Sequence, residues 1–376
     1  MRHVVEINDP VELEAYRAAW SGLLVQTRGA SFFQSLEWLE AYWRFHGEHQ
    51  RLRVLLVHDQ DRLTGILPLA VRSEPTRLGG MRVLTYPLHD WGAFYGPIGP
   101  DLMDTLSAGL ARVRRTPRDW DLLELRWVDE SGCDEGKSAQ AMAQAGFAPR
   151  RQCSARSAQI TLSGSWDQFW MARTSHFRNN VRRAEKKLAQ RGTIRHVRYR
   201  PGGAAHQQSD PRWDLYDACE AIAEESWQSK SPTGTTLTHP GVRLFLRHVH
   251  EVAARAGAVD LNLLLLDDVP IAFNYAYHYR GYVFGLRTGY DSAAAAHGAG
   301  IVLQKRMIRD CFERCDHTYD LGPDYLECKR YWLTDVRPIC RYTWFPPTPR
   351  AQLLRLKRGI AGWFSAHQRA GGKTPR

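Results

Sequence analysis

The second half of this 376-residue chain loosely repeats the order of elements in its first half. In the first half, helix patterns over residues 11–25 and 35–45 precede two apolar runs joined by a tight turn. In the second half, helix patterns over residues 213–228 and 242–254 precede a similar hairpin. The repetition predicts an α/β architecture with a mixed sheet, built from two duplicated units.

The same succession continues beyond each hairpin. Each half adds a strand, a helix and a strand, predicted at 81–86, 102–115 and 121–128, and again at 282–290, 301–314 and 318–322. Domains of about 150 residues are typical for this length. We therefore predict one domain over 1–155, a second over 156–346 that carries the functional site, and a basic tail over 347–376.

A candidate anion-binding turn lies between the strand and the helix of the second half. The turn contains Gly298 and Gly300, whose missing side chains let backbone N–H groups approach a ligand, and the next helix presents its positive dipole end. A diphosphate is the anion that we expect there. The candidate binding residues are His297, Gly298, Ala299, Gly300 and Ile301. An ordinary connection rich in small residues is the alternative.

Composition limits the class of protein. The chain is 43% hydrophobic, has no apolar run long enough to span a membrane, and begins without an apolar signal segment, so we expect a cytoplasmic globular protein. Its seven cysteines include no Cys-x-x-Cys pair, and His248 and His250 are spaced to face different sides of a helix. We predict no metal.

Positive charge is concentrated at the C-terminus. The net charge is +11, and residues 347–376 hold seven Lys and Arg without any Asp or Glu. Helical spacing of Leu353, Leu356, Ile360 and Trp363 makes this tail amphipathic. It either docks on the body or contacts a membrane surface. The body itself could attract CoA, an acidic carrier protein or tRNA.

A basic helix is predicted to precede the second unit. Ser175 can cap it, and an apolar stripe follows at Phe177, Val181, Ala184 and Leu188. Beside two asparagines, Arg178 suits a polar or phosphorylated partner, so it is a candidate substrate-binding residue. The alternative is a solvated charged face.

These features, in this order, resemble the GNAT superfamily of N-acyltransferases, and within it the CelD-like and FemAB-like branch that fuses two GNAT-like units. The resemblance covers roughly residues 31–345. It is carried by Phe33-Gln34-Ser35-Leu36-Glu37-Trp38-Leu39, Gly65-Ile66-Leu67-Pro68-Leu69, the basic helix, Val269-Pro270-Ile271-Ala272, Gly289-Tyr290-Asp291, Gly298-Ala299-Gly300, and Asp320-Leu321-Gly322 followed by Lys329.

The resemblance implies a sheet split open between two parallel strands, here 282–290 and 318–322, which admits the arm of an acyl donor. The donor would be acyl-CoA or acetyl-CoA, or an acyl carrier protein. Gly298 and Gly300 match the glycines of the family's diphosphate turn, whereas Ala295 stands where a polar or charged residue is usual. The Fem-type members use aminoacyl-tRNA and carry a long helical arm, for which this chain has no pattern.

Acyl transfer to an amine needs a base, an oxyanion donor and a proton source for the leaving thiolate. By resemblance, Tyr325 matches a tyrosine proton donor and Lys329 a lysine near the acyl group. Asp324 or Asp320 could accept the amine proton. Tyr325, Lys329 and Asp324 are therefore the catalytic candidates. Their alternatives are a core aromatic, a surface ion pair and a helix cap.

Further candidates line the acceptor side. Strand alternation places Arg287 on one face with Val283, Gly285 and Gly289, which leaves room for a ligand beside it. A bulge with Arg287 paired to a carboxylate is the alternative. Tyr290 ends that strand, and Trp227 precedes a loop rich in Ser, Thr and Gly that could cover a substrate.

The sequence thus predicts an N-acyltransferase that moves an acyl group from CoA or a carrier protein to an amine, in polysaccharide or cell-envelope biosynthesis. Two alternatives stay open. One is a non-catalytic scaffold of exopolysaccharide or envelope assembly, with the tail as its membrane or partner contact. The other is an aminoacyl-tRNA-dependent peptidyl transferase.

Overall fold

The structure, a computed structural model, describes residues 2–76, 79–226, 236–323 and 325–359. Within these ranges no helix is long and apolar enough to cross a membrane.

Helices and strands alternate in two series of the same order. The first series comprises β1 (Arg2–Ile7), α1 (Arg17–Gln26), α2 (Leu36–His46), β2 (Gln50–Asp59), β3 (Arg62–Thr76), β4 (Gly79–Thr85), α3 (Leu102–Arg115), β5 (Leu122–Asp129), α4 (Lys137–Gln144) and β6 (Arg150–Thr161). Two helices, α5 (Trp166–Met171) and α6 (Ser175–Ala189), then connect to the second series.

The second series comprises β7 (Ile194–Tyr199), α7 (Trp213–Glu225), α8 (Arg243–Arg255), β8 (Val259–Leu266), β9 (Val269–Tyr279), β10 (Tyr282–Tyr290), α9 (Ser292–Ala295), α10 (Ala299–Glu313), β11 (Thr318–Pro323), α11 (Leu326–Lys329) and β12 (Asp335–Trp344). Each series therefore runs strand, two helices, three strands, helix, strand, helix, strand, except that the short α9 precedes α10 in the second series. The predicted duplicated α/β architecture is confirmed.

All twelve strands form one sheet in the order β1-β2-β3-β4-β5-β12-β6-β11-β10-β9-β8-β7. The last strand of each series lies beside the other series: β6 pairs with β11, and β12 pairs with β5. β6 and β12 also pair with each other, from Asp335↔Gln159 to Thr343↔Arg150. The predicted domain boundary, between residues 155 and 156, falls inside β6. The position of the boundary between the two domains therefore stays a prediction.

The sheet opens at its parallel pairs. β10 and β11 pair only at Tyr282↔Thr318, Val283↔Tyr319 and Phe284↔Asp320, and beyond these positions the two strands separate. β4 and β5 are joined by two parallel pairs, Val83↔Leu122 and Leu84↔Leu123. The structure thus shows the predicted opening between β10 and β11.

Helix α6 packs its predicted apolar stripe against the second unit. Phe177, Val181, Ala184 and Leu188 are its buried residues, as the sequence predicts. The helix cap differs, because the side chain of Thr174 rather than that of Ser175 accepts the first backbone N–H.

The start of the basic tail is a helix over 349–359 that docks on the first unit. Ala351 and Leu354 are buried against Met81, Val83 and Leu122. Arg358 donates to Glu124 over 2.6 Å. The predicted apolar face is not the face that docks, because its residues Leu353 and Leu356 are 46% and 58% exposed. Ile360 and Trp363 lie outside the described residues.

A buried ion-pair cluster ties β7 to β8 and α10. Asp260 is fully buried and accepts hydrogen bonds from Arg198 and Arg200, and Arg198 also reaches Asp310 of α10. Burial opposes ionisation of Asp260, but the positive charges of Arg198 and Arg200 prevail and lower its pKa to about 2.

Removing this carboxylate should unfold the protein more easily. We expect Asp260→Asn to lower the free energy of unfolding by about 3–5 kcal/mol, because two buried guanidinium groups lose the carboxylate that they share. Denaturant titration measures the change. The depressed pKa also means that the wild type loses this contribution as the pH falls from about 4 to about 2. In the control, Asp268→Asn breaks an exposed pair with Arg195 and should cost less than about 1 kcal/mol.

Candidate active site

The N-terminus of α10 forms an open cradle of backbone amides. Gly298 adopts the left-handed conformation with φ 78°, and a Cβ there would lie 2.8 Å from the Cβ of Ala184 on α6. No side chain caps the helix, so the N–H groups of Ala299, Gly300 and Ile301 lack intrahelical partners. Gly298, Gly300 and Ile301 are partly exposed, although Ala299 is buried. The arrangement suits an anion, as the sequence predicts.

Two further side chains border this cradle. Arg191, just after α6, contacts the ring of His297 through its guanidinium. The ring of Tyr290 lies 3.0 Å from the position that a Cβ on Gly300 would take. Positive charge and an aromatic wall therefore flank the amides. Arg191 was recognised in the sequence only as one of several basic residues, because nothing local placed it beside His297.

The apex of the split between β10 and β11 is closely packed backbone. A Cβ on Gly285 would lie 2.9 Å from the carbonyl oxygen of Asp320 across the gap. On the other strand, Gly322 is left-handed with φ 83°, and its Cβ would lie 3.6 Å from the carbonyl oxygen of Gly285. Side chains are therefore excluded at the point where the strands part.

Asp320 lies at this apex and is 3% exposed. Its carboxylate accepts hydrogen bonds from Ser157 Oγ at 2.5 Å, from the Gly322 N–H at 2.7 Å, and from Gln159 Nε2 at 3.4 Å. Burial outweighs these bonds and raises the pKa of Asp320. The sequence analysis did not identify Ser157 and Gln159, because it did not predict strand β6. Their contact with Asp320 depends on the pairing of β6 with β11.

Lys329 meets the same apex from α11. Its Nζ donates to the carbonyl oxygens of Gly322 at 2.9 Å and Pro323 at 3.0 Å. Tyr325 is 74% exposed. If it is the proton donor, as predicted, it donates its proton from the surface of the site. Asp324 lies outside the described residues. The structure thus brings Lys329 and Asp320 together at the split, with Tyr325 close by along the chain.

A large cavity opens on the face of the sheet opposite α10. Its empty space, counted out to solvent, is about 750 Å³. Both units line it, through residues that include Gln34, Tyr95, Asp129, Gln159, Phe284 and Asp320. Asp129 pairs with Arg337 at 3.1 Å, yet burial raises its pKa. The cavity therefore offers carboxylates to a ligand that donates hydrogen bonds.

The predicted position of Arg287 is wrong in one respect. Leu286 is an extra residue in β10, because Gly285 pairs with Ala276 whereas Arg287 pairs with Tyr275. This bulge moves Arg287 to the face opposite Val283 and Gly285. The alternative with a bulge is confirmed for the backbone, but no carboxylate pairs with Arg287 among the described residues.

The remaining substrate-binding candidates lie elsewhere or cannot be located. Arg178 donates through Nη1 to the carbonyl oxygens of Met171 and Arg173, at the end of α5. Its predicted contact with a phosphorylated partner therefore stays a prediction. Trp227 lies outside the described residues. Within those residues, no group of three or more His, Cys, Asp or Glu side chains could hold a metal ion.

The part of the chain that carries this site is similar to a known family of domains. Residues 175–330 match the family model described as an acetyltransferase (GNAT) domain, which contains β10, the cradle, β11 and Lys329. No curated protein matches the chain significantly. The domain match supports acyl or aminoacyl transfer as the general class of reaction.

Solved structures extend the similarity to both units. The structure of FemX superposes with a TM-score of 0.62 at 12% identity, covering 93% of this chain and 99% of FemX. The C-terminal domain of a putative lysylphosphatidylglycerol synthetase from Agrobacterium fabrum gives 0.52 at 10%, covering 94% and 97%. A conserved protein of unknown function from Bacteroides thetaiotaomicron gives 0.51 at 10%, covering 91% and 99%. At these identities the similarity shows a shared fold.

The apex can be tested through stability. Gly285→Ala should destabilise the protein by about 1–3 kcal/mol, because its methyl group meets the Asp320 carbonyl oxygen at 2.9 Å. The matched control is Gly22→Ala on exposed helix α1, where no atom lies within 4 Å and alanine should stabilise by about 0.5–1 kcal/mol. Equal behaviour of the two variants in thermal denaturation would contradict the described apex.

Proposed function

We propose that the protein is an N-acyltransferase, because residues 175–330 match the model of a GNAT domain and the chain shares the fold of FemX. It moves an acyl group from a CoA or acyl-carrier thioester to an amine. The observation that carries the proposal is the combination of free amides at the start of α10 with the open end of β10 and β11.

The donor binds on the α10 side of the sheet. Its phosphates accept hydrogen bonds from the N–H groups of Ala299, Gly300 and Ile301, and Arg191 adds positive charge beside them. The thioester arm then runs from this cradle into the split. Because Gly285 and Gly322 have no side chains, the arm meets their backbone at the apex, close to Asp320 and Lys329.

The acceptor amine enters from the large cavity on the opposite face, where Asp320 lies. The amine nitrogen attacks the thioester carbon, a C–N bond forms, and the C–S bond breaks. Asp320, whose pKa is raised, accepts the proton from nitrogen directly or through water. Lys329 stabilises the developing negative charge, and Tyr325 returns a proton to the thiolate. Asp324 is the alternative base. A setting in polysaccharide or envelope biosynthesis is part of the same proposal.

Replacement of the proposed base tests the reaction. Asp320→Asn should reduce kcat about 10²–10⁴-fold, because the amine keeps its proton, while the affinity for CoA changes little. In the wild type, activity should fall on acidification at a pH above 3.8, the ordinary aspartate value, because burial raises the pKa of Asp320. Steady-state kinetics across pH and calorimetric titration with CoA measure the two effects.

Several outcomes would count against this assignment. Asp268→Asn, the same substitution on an exposed turn, serves as the control and should leave kcat unchanged. Failure to bind CoA, acyl-CoA or an acyl carrier protein contradicts the proposed donor. Activity that ribonuclease abolishes and that falls steeply with salt identifies an aminoacyl-tRNA donor instead.

A second candidate, a scaffold that contacts membranes through its tail, is favoured by one observation. Leu353 and Leu356 are exposed on a helix that also carries Arg355 and Lys357, while the other side of that helix docks on the body. Apolar side chains beside basic ones suit an anionic lipid surface.

Vesicle binding tests this candidate. Leu353→Glu with Leu356→Glu should weaken binding to anionic vesicles by roughly tenfold or more, because burial of each leucine is worth about 1.5–3 kcal/mol. Leu244→Glu, at a residue 72% exposed on α8, is the matched control and should change little. Tail-dependent binding without acyl transfer supports the scaffold, whereas equal binding of all variants argues against it.

A further inference from the structure

Arg287 lies in a small aromatic pocket that the proposed reaction does not yet use. The bulge at Leu286 turns Arg287 toward the face of the sheet that carries Tyr275 and Tyr277. Phe33, Trp38 and Trp91 of the first unit close the pocket, whose empty space, counted out to solvent, is about 260 Å³. Both units therefore surround one guanidinium.

The guanidinium has no counter-charge among the described residues. Its Nη1 donates to the neighbouring Leu286 carbonyl oxygen at 2.7 Å, and its buried Nε has no hydrogen-bond partner. Residues 227–235, which follow α7, contain no Asp or Glu. Burial lowers the pKa of Arg287, but a guanidinium remains charged in a protein.

Two neutral donors accompany this cation. Among the described residues, the buried hydroxyl groups of Tyr277 and Tyr216 have no hydrogen-bond partner in good geometry, although the Tyr277 hydroxyl interacts with that of Tyr275. Both tyrosines interact electrostatically with Arg287. An unpaired cation that is partly buried is costly, and so is a buried hydroxyl without a partner. A ligand carboxylate would give the guanidinium and the Tyr277 hydroxyl, which line the same pocket, an acceptor.

We propose that Arg287 binds a carboxylate carried by a substrate of the transfer reaction, with Tyr277, which lines the same pocket, as an additional donor. The inference rests on the proposed acyltransferase function and narrows its substrate class. A planar carboxylate fits the guanidinium fork, and the aromatic walls fit a short apolar body attached to it.

The position of Arg287 limits how far the carboxylate is from the reacting carbonyl. Arg287 lies three residues beyond Phe284, the last residue of β10 paired with β11. At a rise of about 3.3 Å per residue, the Cα atom of Arg287 lies within about 10 Å of that of Phe284, so a carboxylate held by the guanidinium is at most one extended arginine side chain farther from the split. Phe33 and Phe284, with ring centroids 6.1 Å apart, separate this pocket from the larger cavity. Either a short acyl group or the acceptor itself can carry the carboxylate.

Matched substrates distinguish the two sources. In the donor arm, succinyl-CoA is compared with butyryl-CoA, which has the same four acyl carbons but no terminal carboxylate. In the acceptor arm, β-alanine is compared with propylamine, with acetyl-CoA as donor. We expect the wild type to prefer the carboxylate in one arm by at least tenfold in kcat/KM. Arg287→Gln should abolish that preference, and Arg287→Lys should retain part of it.

The free protein supplies an independent readout. Because the Arg287 guanidinium is partly buried and has no counter-charge among the described residues, Arg287→Met should raise the melting temperature by about 1–3 °C while it removes the carboxylate preference. Arg195→Gln, which changes an exposed guanidinium on β7, should alter neither quantity. A structural role for Arg287 predicts the opposite, a lower melting temperature.

The outcomes separate the two proposals. If acetyl-CoA binds and reacts but neither arm shows a preference that depends on Arg287, the carboxylate assignment is wrong and the acyltransferase proposal stands. If no CoA thioester binds, the proposed function fails. The melting temperature of Arg287→Met then still tests whether the pocket binds an anion. A melting temperature equal to or below that of the wild type overturns the inference.

Discussion

The antiparallel ladder between β6 and β12 is the interaction on which the rest of the structure depends. Each of these strands ends one series of elements and lies beside the other series, so the ladder joins two repeats into one sheet. It also places Ser157 and Gln159 of the first series against Asp320 of the second. The acidic side of the candidate active site therefore exists only because the two units exchange strands.

The two sides of the split carry different groups. The amides at the start of α10 and Arg191 favour an anion on one face of the sheet, and buried carboxylates together with Arg28 and Arg337 line the cavity on the other. Under the proposed function, the phosphorylated donor binds on the first face and the amine approaches the carboxylates on the second. Because Gly285 and Gly322 have no side chains, the donor and the acceptor can approach each other at the apex.

Much of the local structure could be predicted from residue patterns. The hairpins, α3, the apolar stripe of α6 and the glycine turn before α10 follow from hydrophobic periodicity and from glycine, which act over a few residues. The patterns failed where pairing distant in sequence decides the result. β6 and β7 were missed, Arg287 was assigned to the wrong face because a bulge intervenes, and Arg191 was not connected to His297.

The sequence by itself determined the order of elements, the duplication and the position of the glycine turn before α10, because these depend on short-range spacing and backbone freedom. Only the tertiary structure decided that the units exchange strands, that Asp320 is a buried carboxylate and that Arg287 is a partly buried cation without a counter-charge among the described residues. Burial and pairing of a charge depend on residues more than a hundred positions away, as Ser157 and Asp320 illustrate, and no local pattern records them.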